Sequence, residues 1–278
     1  MAKDTASPTK TPMDNYEALH QARPDETRTE QAKYQQIIGS WNYLNTLTRP
    51  DIAFSLGRLS QYLGDPTQVH AQALKKVSRW IRSSKDLGIL YSKDGNTSLQ
   101  GYTDSDFAMD KTNRTSILGN VFMLAGGPVS WMSKKQKSVA TSTMEAEYMA
   151  LCSCAKRSQF LAQILRDMGQ HEMVGQEPFK PTVTQDMKSM LKSPGNPNRP
   201  VQLFEDNQAC LSLVKDPQTH ERAKHIDIAY HYVRDLFDAQ KIQVEFVGTT
   251  DMAADGMTKP KAGPAFQRFV EQIGLYKE

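Results

Sequence analysis

The spacing of apolar positions divides the chain into two parts of different character. From about residue 30 to residue 85 they recur every three or four positions, as one face of a helix requires. Ile37, Ile38, Trp41, Leu44 and Leu47 mark a first stripe, and the Arg49-Pro50 pair ends it, because proline pushes the preceding residue out of the helical region. Ile52, Leu56, Leu59 and Leu63 mark a second stripe, stopped by Gly64 and Pro66. Val69, Leu74, Val77, Trp80 and Ile81 mark a third. Residues 29–86 are therefore predicted to form a small helical unit. The stretch before it, 1–28, is rich in Pro, Thr, Asp and Lys with little periodicity and reads as a flexible leader.

Beyond residue 86 the period changes. LGILYS and SLQGYTDSDF read as strands around an Asp94-Gly95 turn, and LGNVFMLAG and PVSWMSKKQ as two more around Gly126-Gly127. A long helix is predicted from Ser142 to about Met168, opened by Ser142 and Glu145 at the spacing of a capping box. Residues 171–200, rich in Pro, Gly and Lys, read as a loop. VQLFEDN is then a strand, NQACLSLVKD a short helix, IDIAYHYVRDLFDAQ a longer one, KIQVEFVG a last strand, and Phe266 to Ile273 a final helix. Antiparallel strands followed by helix–strand–helix alternation predict a mixed α/β sheet covered by helices.

Composition narrows the possibilities. The chain has 278 residues, 38% of them apolar, enough for a sizeable core; its formal charge of +3 leaves affinity for a polyanion to local patches. Cys152, Cys154 and Cys210 show no pairing pattern, and no signal-like or membrane-spanning run occurs, so a soluble intracellular protein with no membrane partner is expected. Cys152 and Cys154, two apart on a predicted helix, point about 200° from each other and cannot share a zinc ion. No Gly-rich phosphate loop is present. No Asp-Asp dipeptide occurs, which excludes polymerase chemistry by this chain alone.

Four acids sit where elements would present them. Asp104 ends the strand GYTDSDF, Glu147 lies early in the long helix, Asp206 ends the strand LFEDN, and Asp255 opens the segment DGMTKP. Strand ends along one sheet edge can bring carboxylates together, and such a group repels itself unless hard dications neutralise it. Helical periodicity does not choose between Glu147 and Glu145, since each has partly apolar neighbours.

The runs GYTDSDFA, NRTSILG, PVSWMSKKQKSVATSTMEAEYMAL, EDNQA, AKHIDIAYHYVRD and AADGMTKP occur in the order seen in copia-type retrotransposon ribonuclease H domains, which residues 87–278 resemble. IIGSWNYLNTLTRPDIAFSLGRLSQYL, with Pro66 and His70, resembles the segment that joins that family's reverse transcriptase to its ribonuclease H. The resemblance implies a ribonuclease H-like five-stranded mixed sheet and endonucleolytic hydrolysis of the RNA strand of an RNA–DNA hybrid. It implies two Mg2+ ions, replaceable by Mn2+, held by Asp104, Glu147, Asp206 and Asp255. Glu145 is then the helix cap. Residues 171–200 are longer than the family's usual connection, and Phe107 stands where tryptophan is common.

A hybrid partner needs groups that read phosphates and 2′-hydroxyls. Arg114 and Ser116, the Lys134-Lys135 pair, and Asn207 and Gln208 beside Asp206 are the candidates, although Asn207 also suits the cap of the following helix. His225 could be a proton shuttle or a structural residue. The remainder of a reverse transcriptase polyprotein is a second expected partner. The rival reading is a non-catalytic nucleic-acid-binding or assembly module.

Overall fold

The three apolar stripes of the first part form helices α1 (Gln31–Leu47), α2 (Ala53–Leu59) and α3 (Gln68–Ser83). The structure is a computed structural model and describes residues 8–14, 16–108, 114–175, 199–216 and 227–277. The second stripe is divided, because 3-10 turns at Pro50–Ile52 and Ser60–Tyr62 bracket α2. At the first of these turns the Arg49 guanidinium donates to both Asp51 carboxylate oxygens at 2.8 and 2.7 Å and to Ser84. Trp80 Nε1 donates to the same carboxylate at 2.6 Å, so the buried pair fastens α1 to α3. At the head of α3, His70 Nδ1 accepts the Thr67 amide at 2.9 Å, closing a capping box with an imidazole in place of the usual carboxylate.

The stretch that composition reads as a flexible leader is packed against these helices from residue 8 on. Met13 and Leu19 are buried among Tyr34, Ile38, Phe54 and Tyr62. The Tyr62 hydroxyl donates to the Leu19 carbonyl at 2.9 Å, and Arg28 pairs with Asp65 at 2.8 Å. Its apolar residues insert singly into gaps between helices, which leaves no period for sequence reading to detect.

The second part is built on a five-stranded sheet. Its strands are β2 (Gln100–Asp106), β3 (Ile117–Leu124), β4 (Gly127–Lys135), β5 (Val201–Glu205) and β6 (Ile242–Phe246), in the order β4-β3-β2-β5-β6. β3 pairs antiparallel with both β4 and β2, while β5 lies parallel to both β2 and β6. Helices α4 (Thr143–Asp167), α5 (Gln208–Lys215) and α6 (Asp227–Asp238) cover one face, over Phe122, Leu151, Leu203, Val214, Val233 and Val244. Alternation along β3 sends Val121 to the opposite face, where it meets Ala53, Met257, Phe269 and Leu275. This is the mixed α/β, ribonuclease H-like sheet flanked by helices that the sequence leads one to expect.

The helical unit docks on that second face. Trp131 on β4 donates to the Asn45 carbonyl at 2.8 Å, and the Trp80 ring meets Phe266 edge-on at 5.1 Å.

One expected pairing differs. LGILYS contributes only β1 (Leu87–Ile89), which pairs with the C-terminal strand β7 (Leu275–Lys277) and not with β2. A turn does form at Asp94-Gly95, with the Gly95 amide on the Ser92 carbonyl at 3.1 Å. Its flanks separate because Ser92 and Asn96 bond to the backbone of Ala125 at the β3–β4 turn. Two short elements escape periodicity entirely: β7, and the single-turn helix α7 (Asp255–Thr258) that precedes α8 (Gly263–Gln272).

Candidate metal centre

Parallel register brings the first two acids together. Tyr102 pairs with Phe204 across β2 and β5, and their rings stack at 4.8 Å. Two residues further along each chain stand Asp104 and Asp206, on the same side as those rings by strand alternation. The third acid comes from α4. Its N-cap Ser142 accepts the Glu145 amide at 3.2 Å, and the Glu145 carboxylate accepts the Thr141 amide and hydroxyl at 2.5 and 2.7 Å. Glu145 is thus occupied in closing the helix start, one residue away from the reciprocal bond of a standard box. Glu147 is carried onward to the sheet edge. Carboxylate oxygens of Asp104, Glu147 and Asp206 lie within 4.8 Å of one another.

The three acids load one another. At 4.8 Å and an effective dielectric near 20, each ionised pair repels by about 3.5 kcal/mol. Burial, reinforced by Glu205, Asp104 and Asp206, pushes the Glu147 carboxyl up to about 10, with Lys259 opposing. Burial likewise raises Asp104, against the Thr258 hydroxyl and Lys259, which favour its ionised form. Glu147 Oε2 is buried without a hydrogen-bond partner. All donors of the cluster are carboxylate oxygens, and such a set fits a hard dication such as Mg2+ better than a soft metal.

Asp255 is not among the acids whose oxygens meet within 4.8 Å. It opens α7, is 2% exposed, and its two carboxylate oxygens pair with Lys259 and Lys261. α7 reaches the centre through Thr258, whose hydroxyl donates to Asp104 Oδ2. That approach depends on Gly119, the residue opposite Asp104 on β3. A Cβ there would stand 2.7 Å from Met257 Cβ and 2.9 Å from Thr258 Cγ2. On the other side, Thr249 donates to Asp206 Oδ2 at 2.8 Å.

The residues expected to hold nucleic acid are distributed unevenly. Arg114 is exposed, with φ of 56°, at the end of the β2–β3 connection. Ser116 is fully buried, and its Oγ accepts the Ala108 amide at 3.2 Å, closing that connection. Lys134 is exposed and Lys135 half-buried on the edge strand β4. Asn207 caps α5, accepting the Cys210 amide at 3.0 Å, while Gln208 is exposed. Asp106 shares the face of Asp104 but lies outside the trio, and His225 falls outside the described residues.

Sequence reading overlooked Glu205, Thr258, Lys259 and Lys261. Glu205 is fully buried on the α4 side of β5, with Oε1 on the Asn207 amide at 3.2 Å and Oε2 without a partner. Alternation turns it away from the face of Asp206, which is why the adjacent pair in LFEDN reads as one functional acid. The lysines carried a visible signal: Lys259 lies four residues after Asp255, one helical turn on.

No model of a known protein family matches the chain. Among curated proteins, it is 35% identical over 247 residues, 89% of its length, to the retrovirus-related Pol polyprotein from transposon RE1 of Arabidopsis thaliana. It is also 35% identical over 98% of its length to the polyprotein from transposon RE2 of the same plant. Its homologues over most of its length are transposon Pol polyproteins. The chain spans 15% and 17% of those two polyproteins, a small part of each. A shorter relative, secreted RxLR effector protein 161 of Plasmopara viticola, is 44% identical over 46% of the chain and is 90% covered by it. Like these Pol relatives, the chain is a candidate for retroelement-derived chemistry, and among its described residues no helix is long and apolar enough to cross a membrane.

Proposed function

We propose that the chain hydrolyses the RNA strand of an RNA–DNA hybrid, as the ribonuclease H part of a copia-type Pol polyprotein. In this reading, residues 29–86 are the segment that joins it to the polymerase. The observation that carries the proposal is the meeting of Asp104, Glu147 and Asp206 within 4.8 Å at the edge of a ribonuclease H-like sheet. These three would hold Mg2+, or Mn2+ in its place, with Asp255 as the fourth ligand of a two-ion centre. Bound there, such ions supply an activated water and a counter-charge for the leaving oxygen of a phosphodiester.

The chain's own residues prepare the site. Thr258 and Thr249 fix one oxygen each of Asp104 and Asp206. Burial keeps water from Glu147, whose Oε2 has no hydrogen-bond partner and would be open to a cation that displaces the proton. Arg114, Lys134 and Gln208 offer exposed donors to the sugar-phosphate backbones. The expected products end in 3′-hydroxyl and 5′-phosphate.

The test is a labelled hybrid incubated with Mg2+. The wild type is expected to cut the RNA strand and spare the DNA, and Asp104→Asn to cut neither. A wild type inert at every Mg2+ and Mn2+ concentration would support the second reading, a non-catalytic binding or assembly module. The pairing of Asp255 with two lysines is the observation that favours that alternative.

A further inference from the structure

Asp255 is buried, and its carboxylate is already neutralised from within the chain. Lys259 Nζ meets Oδ1 and Lys261 Nζ meets Oδ2. Two ammonium groups on one carboxylate leave a positive charge in excess, and the surrounding acids feel it. Lys259 favours the ionised forms of Asp104, Asp106 and Glu147. Lys261 is itself disfavoured as a cation by burial and held charged by Asp104 and Asp206. Two flexible monovalent heads thus stand on Asp255, next to an acid trio that would take a dication.

Resting on the metal-centre reading above, we propose that Lys259 and Lys261 hold the position of a second dication on Asp255, and that this ion binds only by displacing the Lys261 head. Lys261 is the member less tied to α7: it lies three residues beyond Thr258 in a segment without regular structure, whereas Lys259 is the C-cap of that helix, its amide on the Asp255 carbonyl. Its side chain is 22% exposed, so the ammonium needs only to swing about its flexible stem to reach water. Among the described residues, no ammonium group pairs directly with Asp104, Glu147 or Asp206, the ligands of the first dication. Binding should therefore be sequential, tight and then weak, with the second affinity set by the side chains at 259 and 261. If the lysines served only to pin α7, the opposite would follow: removing them would loosen Asp255 and weaken the second event.

Calorimetric titration of the full chain with Mn2+ separates these cases. The wild type should show two events, and Asp255→Asn should lose the second. Lys259→Gln/Lys261→Gln should tighten the second event by about tenfold or more and the first by less than about threefold, since the lost repulsion is greatest at Asp255. Lys261→Arg, which keeps the charge, should retain a weak second event. If the double variant fails to fold, Lys261→Gln alone carries the same expectation at smaller size. A second event unchanged or weakened in the glutamine variants overturns the displacement proposal while leaving the metal centre standing. Absence of any Mn2+ binding in the wild type removes the centre, and this proposal with it.

Discussion

Replacing Glu147 by Gln keeps the shape of the side chain and removes its charge from the acid trio. In the metal-free chain the Glu147 carboxyl, ordinarily at 4.5, is pushed up to about 10. The folded protein therefore keeps a proton there that the unfolded chain has released. Stability is present in full below 4.5 and is lost as pH rises towards 10. Each pH unit in that window costs about 1.4 kcal/mol, so at pH 7 the wild type has lost about 3 kcal/mol through this one group. Forcing the group to ionise would instead engage two repulsive pairs of about 3.5 kcal/mol each, with Asp104 and Asp206. Holding the proton is the cheaper course at neutral pH, and the smaller figure governs. Glu147→Gln should thus be more stable than the wild type by about 3 kcal/mol at pH 7 in EDTA, equal to it near pH 4.5, and further ahead at pH 9. Urea unfolding from pH 4.5 to 9 reads this directly. Added Mn2+ should stabilise the wild type strongly and the variant little. Parallel pH curves for the two proteins, or a variant weaker than wild type in EDTA, would show that Glu147 does not hold its proton in the folded chain.

Two further substitutions probe the supports of the site. Gly119→Ala puts a methyl 2.7 Å from Met257 Cβ and should push α7 off the sheet. The expected cost is about 1–3 kcal/mol in thermal unfolding, with weaker Mn2+ binding as Thr258 leaves Asp104; unchanged values for both would show that α7 approaches from elsewhere. Asp51→Ala strips the buried Arg49 of its carboxylate and Trp80 of its acceptor, and should cost about 3–5 kcal/mol in urea unfolding. A loss below about 1 kcal/mol would mean that the pair does not fasten α1 to α3.

Elements with a full period were legible in the chain. The stripe from Ile37 to Leu47, the run LGNVFMLAG with its Gly126-Gly127 turn and the Ser142 cap each carry a local signal, and each is an element of the structure. Elements stabilised by distant partners were not. β1 has only three paired residues, and its partner β7 lies at the other end of the chain, so no local pattern announces either. Met13 and Leu19 occupy gaps singly and leave no rhythm. At the site, strand ends pointed to Asp104 and Asp206, while periodicity could not separate Glu147 from Glu145. The distinction lies in Thr141, which captures the Glu145 carboxylate and is visible only once the helix start is built. At Ser116 the sequence offers a donor in a turn after Arg-Thr; the bond of its Oγ to Ala108 is visible only in the fold. Glu205 was obscured by its neighbour, since only the packing of α4 reveals that Glu205 too is buried close to Glu147.

In the proposed function, one edge of the sheet gathers these carboxylates around divalent ions. Anomalous diffraction from crystals grown with Mn2+ and an uncleaved RNA–DNA hybrid tests it most directly. A strong peak is expected bonded to oxygens of Asp104, Glu147 and Asp206, beside a phosphate of the RNA strand. A map with no peak there, or with Mn2+ only at other acids and the hybrid on another face, would contradict it.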